Sequence, residues 1–192
     1  MSGVDPLAIA VRVSHILDAL AVRHTIGGSI AASFAGEPRS TIDIDFVAAL
    51  SHEVIAPLSA ALSPEFYVSE EALHRAVDVL GSANLIHQDS QIKVDLFVAG
   101  GTPLDEQQLA RRQRVEIRPG EVIHIHPPED ILLQKLRWFR NGGEVSDRQW
   151  RDVLGIVRTQ GERLDQTYLA ANAPVLNVAE LLDRALRDGG VA

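Results

Sequence analysis

The apolar residues of this chain follow two different spacings, and each spacing predicts its own type of element. Between Leu7 and Leu20 they lie three or four positions apart, which predicts a helix with one buried stripe, and Asp5-Pro6 is a typical helix start. Between Thr41 and Val47 the chain has an alternating stretch of polar and apolar residues, which predicts a half-buried strand. The other elements predicted in this half of the chain are a strand at 24–28, helices at 51–62 and 70–80, and antiparallel hairpins at 84–99 and 112–126.

The pattern changes at Pro127-Pro128 and is helical from there onward. Helices are predicted at 131–140, 146–158, 164–171 and 178–186, and Asn177 with Glu180 is predicted to cap the last of them. The expected fold class is α/β in the α+β sense: a minimal mixed β-sheet flanked by helices, with a C-terminal helical extension. We expect a core at 1–127 and the extension at 128–192, packed on the core as one compact domain, because no linker is long enough to separate two.

Two carboxylates leave the same face of the predicted strand at 41–47. Asp43 and Asp45 lie two positions apart, whereas Ile44 between them points to the opposite face. A third acid, Asp95, follows on a later predicted strand. Adjacent carboxylates repel each other, and a divalent cation such as Mg²⁺ removes the repulsion by binding their oxygens together with substrate phosphates. The alternative interpretation is an edge strand with a solvated acidic face.

The Gly27-Gly28-Ser29 step between the first strand and the next predicted helix is a candidate phosphate site. Glycines allow close backbone approach, and a helix that starts there points free N–H groups at an anion. The alternative is an ordinary turn. Ser29 lacks the Gly-x-Ser-x-Gly surroundings of a serine nucleophile, so a hydroxyl contact to phosphate is the better interpretation. Arg39, just before Asp43, either binds a phosphate or holds its own loop through a neighbouring acid.

The order of these features resembles the nucleotidyltransferase superfamily, in which a Gly-Ser pair precedes an Asp-x-Asp and a third aspartate. The form Gly-Gly-Ser-x-Ala followed by Arg-x-Thr-x-Asp-Ile-Asp is most similar to the abortive-infection (AbiEii-like) branch of nucleotidyltransferase toxins. That branch also carries a helical lysine and a following aspartate, which Lys135 and Asp152 match. The resemblance implies Asp43, Asp45 and Asp95 as catalytic ligands of Mg²⁺ or Mn²⁺. It implies contacts to the nucleotide from Gly27, Gly28, Ser29, Arg39, Lys135 and Asp152.

The implied activity is transfer of a nucleoside monophosphate from a nucleoside triphosphate to an acceptor hydroxyl. The acceptor is transfer RNA, a protein or a small molecule, and the sequence does not choose among them. A role as the toxin of a toxin–antitoxin pair would add an antitoxin protein as a partner. Two alternatives remain open at this point. They are a catalytically weak interaction subunit with the same fold, and a metal-dependent phosphohydrolase that uses water as the acceptor.

Composition and charge exclude several classes of protein. The 192 residues contain no cysteine, which excludes disulfides, cysteine nucleophiles and thiolate zinc sites. The net charge of −8 argues against a protein that coats nucleic acid, since such proteins neutralise phosphates with clustered lysine and arginine. No uncharged apolar run is long enough to span a bilayer, and the N-terminus lacks an apolar signal core. We therefore expect a cytoplasmic protein with no membrane partner.

Three further features each allow two interpretations. Basic residues gather at 111–118 and 135–151, either as a positive wall facing a triphosphate or as solvated helix faces. His124 and His126 lie on one strand face, and the lack of an adjacent third ligand favours a structural role over a metal pair. Lys135 lies beside apolar positions of its helix, so its charge is either directed at a ligand or reaches solvent by snorkelling.

Overall fold

A computed structural model describes residues 5–36 and 43–191 of the chain. The strands are β1 (His24–Ile26), β2 (Ile44–Ala48), β3 (Phe66–Tyr67), β4 (Ser82–His87), β5 (Lys93–Val98), β6 (Gln113–Arg118) and β7 (Glu121–Ile125). The helices are α1 (Pro6–Ala19), α2 (Gly28–Ala35), α3 (His52–Leu62), α4 (Glu70–Val79), α5 (Pro103–Arg111), α6 (Pro128–Asn141), α7 (Asp147–Gln160), α8 (Gln166–Asn172) and α9 (Ala179–Gly189). A 3₁₀ turn covers Gly161–Arg163.

Within these residues the seven strands form one mixed sheet in the order β3-β4-β5-β2-β1-β7-β6. β2 runs parallel to β5 and β1 runs parallel to β7, whereas the other neighbouring strands are antiparallel. Side chains alternate along β2, so Ile44 and Phe46 are fully buried while Asp45 lies on the other face. A slip of one residue would bury the acid and expose its apolar neighbours, so the alternation fixes the register.

The described residues divide into two compact units. The first comprises 5–30 and 43–125 and contains the sheet together with α1, α3, α4 and α5. Its core joins Leu17 of α1 and Leu58 of α3 to the apolar face of the sheet, and all of these side chains are fully buried.

The second unit comprises 31–36 and 126–191 and is helical. α6 contacts α7, α8 and α9, and Leu132, Leu136 and Val153 are fully buried there. Across residues 5–36 and 43–191, no helix combines the length and the apolar character needed to cross a membrane.

The predicted fold class is confirmed, since a mixed sheet is flanked by helices and the chain ends in a run of helices. The predicted helix start is also observed, because Oδ1 of Asp5 accepts a hydrogen bond from the Leu7 N–H at 3.0 Å. The two predicted hairpins correspond to β4–β5 and β6–β7. The strand predicted at 41–47 is described from Ile44 onward, and Thr41 and Ile42 lie outside the described residues.

Two local features differ from the sequence-based expectations. α5 has no counterpart among the predicted elements because it carries few apolar residues; a reciprocal capping box between Thr102 and Asp105 begins it instead. The predicted cap of the last helix is wrong. Asn177 adopts a φ of 57° outside the helix, and Glu180 pairs with Arg140, so neither side chain caps α9. Arg140 lies 40 residues from Glu180 in the sequence, so a local sequence pattern could not predict their pairing.

Candidate active site

The parallel strands β2 and β5 bring two of the predicted acids side by side. Asp45 and Asp95 are direct register partners, and neighbouring strands lie about 4.8 Å apart. Both side chains leave the face opposite the fully buried Ile44 and Val94. Asp43 lies just before β2 and is exposed. We call Asp43, Asp45 and Asp95 the acidic cluster.

Lys93 supplies a positive charge to the acidic cluster. Its Nζ lies 2.7 Å from Oδ2 of Asp95. The pKa of Lys93 is raised, first by this hydrogen bond with Asp95 and further by the charges of Asp43 and Asp45. Three carboxylates therefore act on one cation. The Lys93 side chain is 46% exposed, so it is free to move aside, and carboxylate oxygens that act together on one cation are suitable ligands for a divalent metal ion.

The start of α2 lies against the acidic cluster. A Cβ atom on Gly28 would lie 1.8 Å from Oδ2 of Asp45, and the φ of Gly28 is +53°, so the contact and the backbone both require glycine. The Gly27 N–H donates to the backbone oxygen of Asp45 at 2.9 Å. The first N–H groups of α2, at Gly28 and Ser29, favour an anion. Because carboxylates lie beside them, the arrangement suits a phosphate that arrives with its own cation.

Three predicted site residues lie elsewhere in the chain. Arg39 lies outside the described residues. Lys135 on α6 and Asp152 on α7 belong to the second unit, where Nζ of Lys135 lies 2.8 Å from Oδ2 of Asp152. The Lys135 side chain is only 7% exposed, so the interpretation of snorkelling into solvent is wrong. A buried ammonium group requires an opposite charge, and the pairing with Asp152 supplies it.

We expect Lys135→Met to lower the free energy of unfolding by about 2–3 kcal/mol, because the substitution removes the buried ammonium group that pairs with the Asp152 carboxylate. The double variant Lys135→Met, Asp152→Leu should recover at least half of the loss. Arg75→Met removes a cation from an exposed pair with Glu71 and should change little. Urea denaturation of the three variants measures these differences. Equal stability of Lys135→Met and Arg75→Met would contradict a structural ion pair.

The histidines are arranged differently from the pair considered in the sequence. His126 is fully buried, and burial lowers its pKa to about 4. Its Nε2 lies 3.2 Å from Nε2 of Gln134. His124 instead contacts His24, with ring centroids 5.7 Å apart. His124 therefore belongs to a group built from distant parts of the chain.

Lys93 is a site residue that the sequence analysis did not identify. Its signal is present in the sequence Ile-Lys-Val-Asp, since alternation places Lys93 and Asp95 on the same strand face. The effect of the Asp43 and Asp45 charges on the pKa of Lys93 depends on the parallel pairing of β5 with β2, which no local pattern shows.

No protein-family model matches the chain, and no curated protein matches it in sequence. Solved structures do match. An antigenic nucleotidyltransferase-like protein from Paracoccidioides brasiliensis is 19% identical with a TM-score of 0.58, and the match covers 95% of this chain and 92% of that one. The solution structure of the antibiotic-resistance factor ANT(2'')-Ia is 13% identical with a TM-score of 0.54, covering 94% and 99%.

A crystal structure of ANT(2'')-Ia in complex with adenylyl-2''-tobramycin is 14% identical with a TM-score of 0.53, and the match covers 88% of this chain and 97% of that one. At these identities the likeness establishes the fold. The chain therefore has the nucleotidyltransferase-type fold that the order of its motifs predicts. The more detailed resemblance to abortive-infection toxins stays a prediction.

Proposed function

We propose that the protein transfers a nucleoside monophosphate from a nucleoside triphosphate to an acceptor hydroxyl. The observation that carries the proposal is the acidic cluster itself: Asp45 faces Asp95 across two parallel strands, and the start of α2 touches Asp45. In the proposed reaction the acceptor oxygen bonds to the α-phosphorus. The bond from the α-phosphorus to the oxygen that bridges it to the β-phosphorus breaks. Pyrophosphate leaves, and the hydroxyl proton is lost.

The acidic cluster is the proposed holder of Mg²⁺ or Mn²⁺. A divalent cation bound there would supply charge neutralisation and Lewis-acid polarisation of the phosphate oxygens. Asp43 and Asp45 would hold the cation that accompanies the triphosphate. Asp95 would promote loss of the proton from the acceptor hydroxyl. The position of Lys93 supports this assignment, because its ammonium group contacts Asp95 and its pKa is raised by all three carboxylates.

The triphosphate is proposed to bind at the start of α2. The N–H groups of Gly28 and Ser29 point along the helix axis at the β- and γ-phosphates, Gly27 fixes the turn against Asp45, and Arg39 adds a charged contact. For Lys135 and Asp152 the proposal follows the family resemblance. Lys135 neutralises the phosphates, and Asp152 orients Lys135 through their ion pair.

A test of the reaction class incubates the full chain with each common α-labelled nucleoside triphosphate and Mg²⁺. The acceptors are transfer RNA, a bacterial lysate and an aminoglycoside, the last because a structure of similar fold contains adenylylated tobramycin. We expect label on one acceptor and stoichiometric pyrophosphate. Release of inorganic phosphate without labelling would identify a phosphohydrolase. Absence of both products would favour an interaction subunit.

The toxin role is tested separately in cells. If the protein is a toxin that modifies an essential acceptor, induced expression should arrest growth, and expression of Asp45→Asn should not. Growth that continues in both cultures would remove the toxin role and the antitoxin partner, while leaving the transfer reaction to the labelling assay.

We expect a non-hydrolysable nucleoside triphosphate to bind at least about tenfold more tightly with Mg²⁺ than with a chelator, because the acidic cluster otherwise repels the phosphates. Calorimetry measures both conditions. Lys93→Gln removes the internal cation, so this variant should bind Mg²⁺ more tightly than wild type in the absence of nucleotide. Equal nucleotide affinity in Mg²⁺ and in chelator would contradict a metal-bound triphosphate.

A further inference from the structure

A second group of metal-ligating side chains lies in the first unit, away from the acidic cluster. Asp18 lies near the end of α1, His24 opens β1, and His124 lies on β7. One donor atom from each lies within 4.8 Å of the other two. His24 pairs with Ala48 of β2, three positions beyond Asp45, which is about 10 Å along the strand. The group is therefore a separate site.

The spacing of the donor atoms is close to that of a coordinated ion. Ligands at about 2.0–2.2 Å from one tetrahedral zinc ion lie roughly 3.4 Å from one another. Donor atoms that lie as far as 4.8 Å apart would have to approach by about 1.4 Å to reach this distance. Asp18 is suited to make most of the movement, because its side chain is 48% exposed while His24 is held in the interior at 1% exposure.

His24 has a hydrogen-bond arrangement that permits coordination. Its Nδ1 lies 3.0 Å from the oxygen of Val22 and 3.9 Å from Oδ1 of Asp18, and its Nε2 lies 2.7 Å from Oγ of the buried Ser14. With a metal on Nδ1, the proton moves to Nε2 and is donated to Ser14, whose hydroxyl both accepts and donates. Coordination therefore gives up the contact to Val22 alone.

His124 has a ring nitrogen that lacks a hydrogen bond. Among the described residues, Nδ1 of His124 is buried and has no hydrogen-bond partner. A buried polar atom in this state carries a desolvation cost that a ligand bond removes. Burial lowers the pKa of both His24 and His124. An imidazole binds a metal ion in its neutral form.

We propose that Asp18, His24 and His124 bind a transition-metal cation of the Zn²⁺ class. Two imidazoles and one carboxylate are a ligand set for Zn²⁺, with a fourth position open to water. The acidic cluster offers only oxygen atoms and favours Mg²⁺, so the two sites select different ions. A bound ion would tie α1 to β1 and β7.

The charges around this site set how tightly it binds. Asp18 attracts a cation, whereas Arg112 lies close enough to both imidazoles, and Arg114 to His124, to lower the imidazole pKa values. These two guanidinium groups oppose a metal ion. The affinity is therefore expected to be lower than that of a site with four protein ligands and no neighbouring cations.

The test measures Zn²⁺ binding to the full chain by calorimetry, with excess Mg²⁺ present to occupy the acidic cluster. Wild type should bind one Zn²⁺ and melt at a higher temperature with Zn²⁺ than without, and Co²⁺ in its place should give the absorption of a tetrahedral site. Asp18→Asn and His124→Ala should each weaken Zn²⁺ binding at least about tenfold. Asp18 is half-exposed, so its variant is expected to fold even if His124→Ala does not.

Two control variants address other histidines. His15→Ala removes an exposed imidazole from α1, the helix that also carries Asp18. His74→Ala breaks an exposed pair in which Nδ1 of His52 lies 2.8 Å from Nδ1 of His74. Both variants should bind Zn²⁺ as wild type does. The proposal is overturned if wild type does not bind Zn²⁺, if Asp18→Asn binds it normally, or if His74→Ala is the variant that loses it.

Discussion

Asp45→Asn is expected to lower kcat/KM for nucleotidyl transfer by at least about a hundredfold, since a metal site contributes several kcal/mol to such reactions. The amide keeps the size of the side chain and removes the charge that faces Asp95. Stability should change by less than about 1 kcal/mol, because the substitution removes repulsion within the acidic cluster and also attraction to Lys93. Steady-state kinetics with a labelled triphosphate and a thermal melt measure the two effects.

Asp89→Asn is the matched control for this variant. Asp89 is an exposed acid in the turn between β4 and β5, so its substitution makes the same change in charge on the same hairpin as Asp95. Full activity is expected there. Asp43→Asn should lose activity as Asp45→Asn does. If both variants of the acidic cluster turn over normally, the cluster is a solvated strand face and not a catalytic site.

The pair Asp43 and Asp45 within the acidic cluster was predictable because its information is local. Alternation along a strand shows which side chains share a face, so Asp43 and Asp45 could be placed together from the sequence. The position of Asp95 opposite Asp45 required the pairing of β2 with β5. These strands are neighbours in the sheet although α3, β3, α4 and β4 lie between them in the chain, and only the family resemblance joined them beforehand.

Features that depend on long-range packing could not be predicted. Asp18, His24 and His124 come from a helix and two strands, and the distance in sequence between His24 and His124 hides their contact. The same is true of Glu180, where a pattern typical of a helix cap was overridden by the distant Arg140. Lys135 shows the converse case. Its apolar neighbours left a charge directed at a ligand and a snorkelling side chain as alternatives, and the ion pair with Asp152 appears only in the structure.

Gly28→Ala is expected to impair both folding and transfer. The new methyl group would lie 1.8 Å from Oδ2 of Asp45, and alanine at a φ of +53° is also strained. We expect the free energy of unfolding to fall by about 2–4 kcal/mol, the sum of backbone strain and the displacement of a packed side chain. We expect kcat/KM to fall at least about a hundredfold, because the displaced carboxylate belongs to the acidic cluster and α2 moves with the N–H groups proposed to bind phosphate.

Gly120→Ala separates the two causes. Gly120 lies in the turn between β6 and β7 with a φ of +80°, and a Cβ atom there would contact nothing within 4 Å. This variant therefore carries backbone strain alone, expected at about 1 kcal/mol, with unchanged transfer activity. The excess loss in Gly28→Ala reports the contact with Asp45. Urea denaturation and steady-state kinetics compare the two variants. If Gly28→Ala and Gly120→Ala behave alike, the start of α2 does not press against the acidic cluster. The phosphate site proposed there would then lose its geometric basis.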